Sequence, residues 1–97
     1  MCGGCQGFYK GDQLSNLILE EMQNKVKFST ISFPTRNVYL YGAVIKTDKV
    51  LIDLINIAGK YRHILNIVEP DRDLTYMLIK NNFTPYAEGG KIVWAYW

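Results

Sequence analysis

Leu14, Leu17, Ile18, Met22 and Val26 recur near i, i+3, i+4, i+8 and i+12, the apolar stripe of an amphipathic helix over about 13–26. Asp12 stands just ahead of it, where a side-chain oxygen accepts from the free amides of a first turn. From Lys27 the period changes to two. Ile31 and Phe33 alternate with Thr30 and Ser32, and Pro34 to Asn37 supplies a turn. Beyond it Val38, Leu40 and Val44 are expected to face one way, and Tyr39, Tyr41 and Ile45 the other. Residues 28–45 therefore read as a hairpin, with Gly42 marking a bulge or a close backbone approach.

Thr47 or Asp48 caps a second helix whose inward stripe is Leu51, Leu54, Ile55 and Ala58, with Gly59 near its end. His63 to Val68 is a short strand carrying Ile64, Leu65, Ile67 and Val68, which predicts a central strand covered on both sides. Pro70 and Asp71 open a third helix with Leu74, Met77 and Leu78 inward, ended by Asn81-Asn82. Tyr86 to Glu88 and Lys91 to Trp97 flank Gly89-Gly90, a tight hairpin. The expected class is α/β (α+β): a single-layer mixed sheet with three helices, in the order α-β-β-α-β-α-β-β. The domain occupies 12–97, and 1–11 form a glycine- and cysteine-rich appendage.

Composition narrows the function classes. In 97 residues, 48% are hydrophobic and 21% charged, as in an ordinary globular chain. Eleven basic against nine acidic residues give a net charge of +2, too even for an electrostatic nucleic-acid binder. Apolar runs are too short for a membrane span, and Met1 to Cys5 does not read as a secretory signal. The expected setting is the cytoplasm or a virion.

Cys2-Gly3-Gly4-Cys5 is the most suggestive motif, since two thiols at this spacing can chelate a metal or form a redox pair. With His63 the only histidine, Cys2 and Cys5 would hold zinc or an iron–sulfur cluster only by sharing it between chains; otherwise no cofactor is expected. His63 itself reads as a surface or hydrogen-bonded residue, and Asp71 and Asp73 as a helix start rather than a catalytic pair. Lys25, Lys27, Lys46 and Lys49 read as a solvated face. Aromatics make up 13% of the chain and gather on strands. Tyr86, Trp94, Tyr96 and Trp97 are the candidate partner-binding residues, because the last strand carries more aromatic surface than a small core hides.

Two families are resembled. The strand at 64–68, the helix from Asp71 to Asn82, Asn82-Phe83 and the final hairpin are similar to the closing half of GNAT-type N-acetyltransferases. That resemblance implies a truncated GNAT-like scaffold. The family's acyl-CoA loop would lie near 43–50, where this chain reads Ala43-Val44-Ile45-Lys46-Thr47-Asp48-Lys49-Val50 without a glycine. Leu78 stands where the family has its tyrosine acid, with Tyr76 two positions away. More weakly, 13–68 resembles a BON domain, through Leu40-Tyr41-Gly42-Ala43-Val44 and Ile57-Ala58, which implies an envelope or phospholipid surface.

These observations point to a non-catalytic interaction or assembly protein, a component of a viral particle or another large complex, with protein partners or copies of itself. The alternatives are a minimal acyl-CoA-dependent N-acetyltransferase and an oligomer joined by metal at Cys2 and Cys5.

Overall fold

A computed structural model describes residues 14–96. Helix α1 (14–23) is followed by β1 (Thr30–Ser32), β2 (Asn37–Tyr41), α2 (Asp48–Lys60), β3 (Ile64–Val68), α3 (Arg72–Lys80), β4 (Thr84–Glu88) and β5 (Lys91–Tyr96). The order is the one expected, and the fold is a mixed α+β sheet with three helices. Spatially the strands run β1-β2-β3-β5-β4. Only β2 and β3 pair in parallel; β1, β5 and β4 each pair antiparallel to their neighbours.

Two crossovers, β2–α2–β3 and β3–α3–β4, advance in the same direction across the sheet. Right-handed connections of that kind place both helices on one face. The packing agrees. Ile18 and Met22 of α1, Leu51 and Leu54 of α2, and Leu74 and Leu78 of α3 share one core with Val38, Leu40, Leu65 and Ile67. The register pairs Val38 with Leu65 and Leu40 with Ile67, so these four project from the same side. The central strand β3 is thus covered by helices on one face only, where the sequence pattern predicts cover on both.

Both later helices open on a side-chain cap and close on a left-handed residue. Thr47 Oγ1 accepts from the Val50 amide at 3.3 Å, and Asp71 Oδ1 from the Leu74 amide at 2.8 Å. At the far ends Arg62 (φ +59°) and Asn82 (φ +68°) are left-handed. Paired bonds run from Arg62 to Gly59 and His63 to Ala58, and from Asn82 to Ile79 and Phe83 to Leu78. Asn82 is the expected terminator. Gly59 is not: it lies inside α2, and Arg62 makes the turn. Gly89 and Gly90, both at positive φ, form the β4–β5 hairpin turn.

Three sequence expectations shift locally. Helix α1 ends at residue 23 rather than 26, and Leu17 lies outside the core. Ile57 replaces Ile55 among the buried residues of α2. Gly42 (φ +67°) breaks the alternation, so Ile45 is buried whereas Val44 is 49% exposed. Gly42 also packs tightly: a Cβ there would stand 2.6 Å from Ser29 Oγ, which donates to the Tyr41 carbonyl. Gly42→Ala is therefore expected to cost about 1–3 kcal/mol in chemical denaturation. Gly59→Ala, in a helix with open space around it, should instead stabilise by about 0.5–1 kcal/mol.

Helices α1 and α2 are clamped by Glu21, which accepts from Lys60 Nζ at 2.7 Å and from the Tyr61 hydroxyl. The bonds from Lys60 and Tyr61 hold the Glu21 carboxyl below its ordinary 4.5, and Glu21 raises Lys60 and Tyr61 in return. A depressed acid contributes stability above its unfolded pKa and loses it as pH falls through its folded one. The gap in urea midpoint between the parent and Glu21→Gln should hold near neutrality and close as pH drops below 4.5.

Candidate interaction surfaces

The helix-free face of the sheet is set by period two. Asn37, Tyr39 and Tyr41 of β2 share it with Asn66 and Val68 of β3, Val93 and Ala95 of β5, Tyr86 and Glu88 of β4, and Ser32 of β1. Val68, Val93 and Ala95 are buried there. Tyrosines do much of the covering. Tyr39 and Tyr86 stand on strands three spacings apart, about 14 Å, yet their hydroxyl oxygens lie 3.1 Å from each other. To meet, both side chains must lie down across β3 and β5.

Beneath them is Asn66, the buried polar residue of the described chain, 1% exposed. Its Nδ2 donates to the Ile64 carbonyl at 3.0 Å, Asn37 Oδ1 at 3.2 Å and the Val38 carbonyl at 3.3 Å. All three are acceptors, which fixes the amide's orientation and leaves Oδ1 to accept from the Tyr86 hydroxyl at 2.9 Å. Tyr39 in turn reaches Glu88 Oε1 at 2.9 Å. Burial, then the Tyr39 hydroxyl, push the Tyr86 phenol far above its ordinary 10.0. The Tyr86 hydroxyl draws Tyr39 the other way, but burial and the Glu88 carboxylate outweigh it and Tyr39 is raised too. Both phenols therefore keep their protons.

Three oxygen–oxygen contacts join Asn66, Tyr86, Tyr39 and Glu88, and the two hydroxyls supply two protons. The two hydrogens are shared among three contacts, so the network holds more acceptors than donors.

Next to it lies a depression of about 290 Å³, floored by Val68 and Val93 and walled by Tyr39, Tyr41, Glu88 and Lys91. It collects the last residues of β2, β3 and β4, which all run in one direction: Tyr41, Val68 and Glu88. The Lys91 ammonium lies 5.9 Å from the centre of the Tyr41 ring.

The second surface is on the helix side. Ile92, Trp94 and Tyr96 share that face of β5 beside α3, and a groove of about 390 Å³ is lined by Glu69, Pro70, Thr75, Ile92 and Trp94. Ile79, one turn beyond Thr75, is 54% exposed, Ile92 is 51% and Tyr96 is 37%. Trp94 packs partly on the core, and the Tyr96 ring tilts against Phe83 at 5.3 Å.

The partner-binding candidates thus divide. Trp94 and Tyr96 lie on the helix side and Tyr86 on the other, while Trp97, Cys2 and Cys5 fall outside the described residues. Strand β5 pairs on both sides, so it is not a free edge. His63 Nδ1 bonds the Tyr61 carbonyl at 2.8 Å, and Asp71 caps α3, as their positions suggest. Lys25, Lys27 and Lys46 surround a shallow groove, with Lys25 3.9 Å from Asp53. Among the described residues no cluster of three or more His, Cys, Asp or Glu fits a metal ion, and no helix is long and apolar enough to cross a membrane. The pattern along the chain gives Asn66, Glu88 and Lys91 no site role; an asparagine inside an apolar strand is the available signal for the first. Comparison with family models, curated proteins and solved structures gives no match to this chain.

Two conservative variants should differ in cost. Tyr86→Phe strips the buried Asn66 Oδ1 of its donor and should cost about 1–3 kcal/mol. Tyr39→Phe removes only contacts to another hydroxyl and to an exposed carboxylate, so its cost by urea denaturation should be clearly smaller.

Proposed function

We propose that this protein is a non-catalytic interaction protein, working in an assembly with neighbouring protein chains that it contacts through the strip between α3 and β5. The observation that carries this reading is the exposure of Ile79, Ile92 and Tyr96 around the groove that Trp94 floors. Large apolar side chains brought together at a surface mark association sites, and tryptophan and tyrosine dominate such contacts.

The start of α2 supports the same choice over an acyl-CoA enzyme. Its Val50 amide is taken by Thr47, and the Asp48 carboxylate sits in the first turn, 2.9 Å from Lys80. The amide and the first-turn charge that a pyrophosphate would use at this helix terminus are thus already engaged within the chain.

The native mass in solution tests the proposal. The parent is expected to run well above 11.2 kDa, alone or with a co-purified chain, and Ile79→Asp with Ile92→Asp should return it to a folded monomer with a cooperative melt. Both side chains are already solvent-facing, so the fold should tolerate the change. A monomer at every concentration with no co-purified chain would count against the reading, as would micromolar binding of acetyl-CoA in calorimetry.

A further inference from the structure

We propose that the depression beside Tyr39 and Glu88 binds the guanidinium group of an arginine on a protein partner. This goes beyond the α3–β5 strip, because the site lies on the opposite face of the sheet.

Three features of the pocket select that chemistry. The first is a surplus of acceptors. Two phenol hydrogens serve three oxygen–oxygen contacts among Asn66, Tyr86, Tyr39 and Glu88, and of these residues Tyr39 and Glu88 reach the pocket lining. The second oxygen of the Glu88 carboxylate and the Ser32 hydroxyl add acceptor capacity on the same lining. A ligand rich in donors suits the Tyr39–Glu88 side of the lining, where a carboxylate or phosphate would meet the Glu88 carboxylate; the donors of the pocket are on Lys91, at its rim.

The second feature is shape. Tyr39 and Tyr41 bring aromatic rings to the lining, and Val68 and Val93 make an apolar floor. A planar, weakly hydrated cation suits such walls, and guanidinium both stacks on rings and presents a fork of donors to a carboxylate. A compact ammonium does the first less well and cannot do the second.

The third is an internal precedent. Lys91 already holds its ammonium 5.9 Å from the Tyr41 ring, with no carboxylate oxygen within 4 Å among the described residues. The ring thus accommodates a cation, although Lys91 is exposed at the rim and opposes a second positive charge. An incoming guanidinium must displace it, and removing Lys91 should therefore tighten binding.

The test is a titration of labelled protein with N-acetyl-arginine amide, followed by amide chemical shifts. Saturable shifts are expected at Tyr41, Gly89 and Lys91. Glu88→Gln should weaken binding about tenfold, the value of a charge-assisted bond, and Lys91→Gln should strengthen it. The citrulline analogue, of the same shape but uncharged, should bind at least several-fold more weakly. Glu88 lies exposed at the hairpin, and the variant's own amide spectrum reports whether the fold is kept. Equal binding of the citrulline probe, an unchanged affinity in Glu88→Gln, or stronger binding of N-acetyl-aspartate amide would each overturn the proposal. A failed titration leaves the native mass untouched, so the two readings fall separately.

Discussion

A five-stranded sheet with helices on one side must do something with its other side, and here the solution hangs on Asn66. An amide in the middle of a central strand would be costly if any of its polar atoms lacked a partner. Asn66 spends its donors on carbonyl oxygens of its own strand and of β2, and on Asn37. That leaves one acceptor pointing away from the sheet, which Tyr86 satisfies. Tyr86 and Tyr39 then lie flat over β3 and β5, shielding Val68 and Val93 where a second helical layer would otherwise stand. The roof is polar along its ridge and apolar beneath.

The pairing of the last strands makes this possible. Because β5 turns back between β3 and β4, Tyr86 is held one strand further from Asn66 than direct pairing of β3 with β4 would place it. A tyrosine is long enough to cross that gap; a shorter polar side chain would not reach. The same insertion sets Trp94 and Tyr96 on the helix side, against α3 and Phe83. Aromatic residues close in sequence therefore serve opposite faces of one sheet.

Much of this architecture was legible in the residues. Period two in Asn37–Tyr41 separates Val38 and Leu40 from the tyrosines, and that separation is the one between core and open face. Asp71 and Asn82 identify the limits of α3 because capping and left-handed geometry are local properties. Arg62 could not be anticipated in the same way, since arginine has no intrinsic preference for its positive φ and is held there by the helix end. The meeting of Tyr39 and Tyr86, 47 residues apart, depends on strand order, which alternation along a chain does not encode. Asn66 was visible as a polar interruption, but its role required knowing what lay above it.

The edges of the sheet bear on how chains of this kind can associate. On one side β1 has three residues, and on the other β4 contains Pro85, which has no amide hydrogen to offer. Neither margin makes a good template for another strand, so growth sideways into a continuous ribbon is discouraged. What the described residues leave open instead are two dissimilar broad faces, tyrosines on one and α3 beside Trp94 on the other, so a strand-by-strand ribbon of copies is the association this sheet resists.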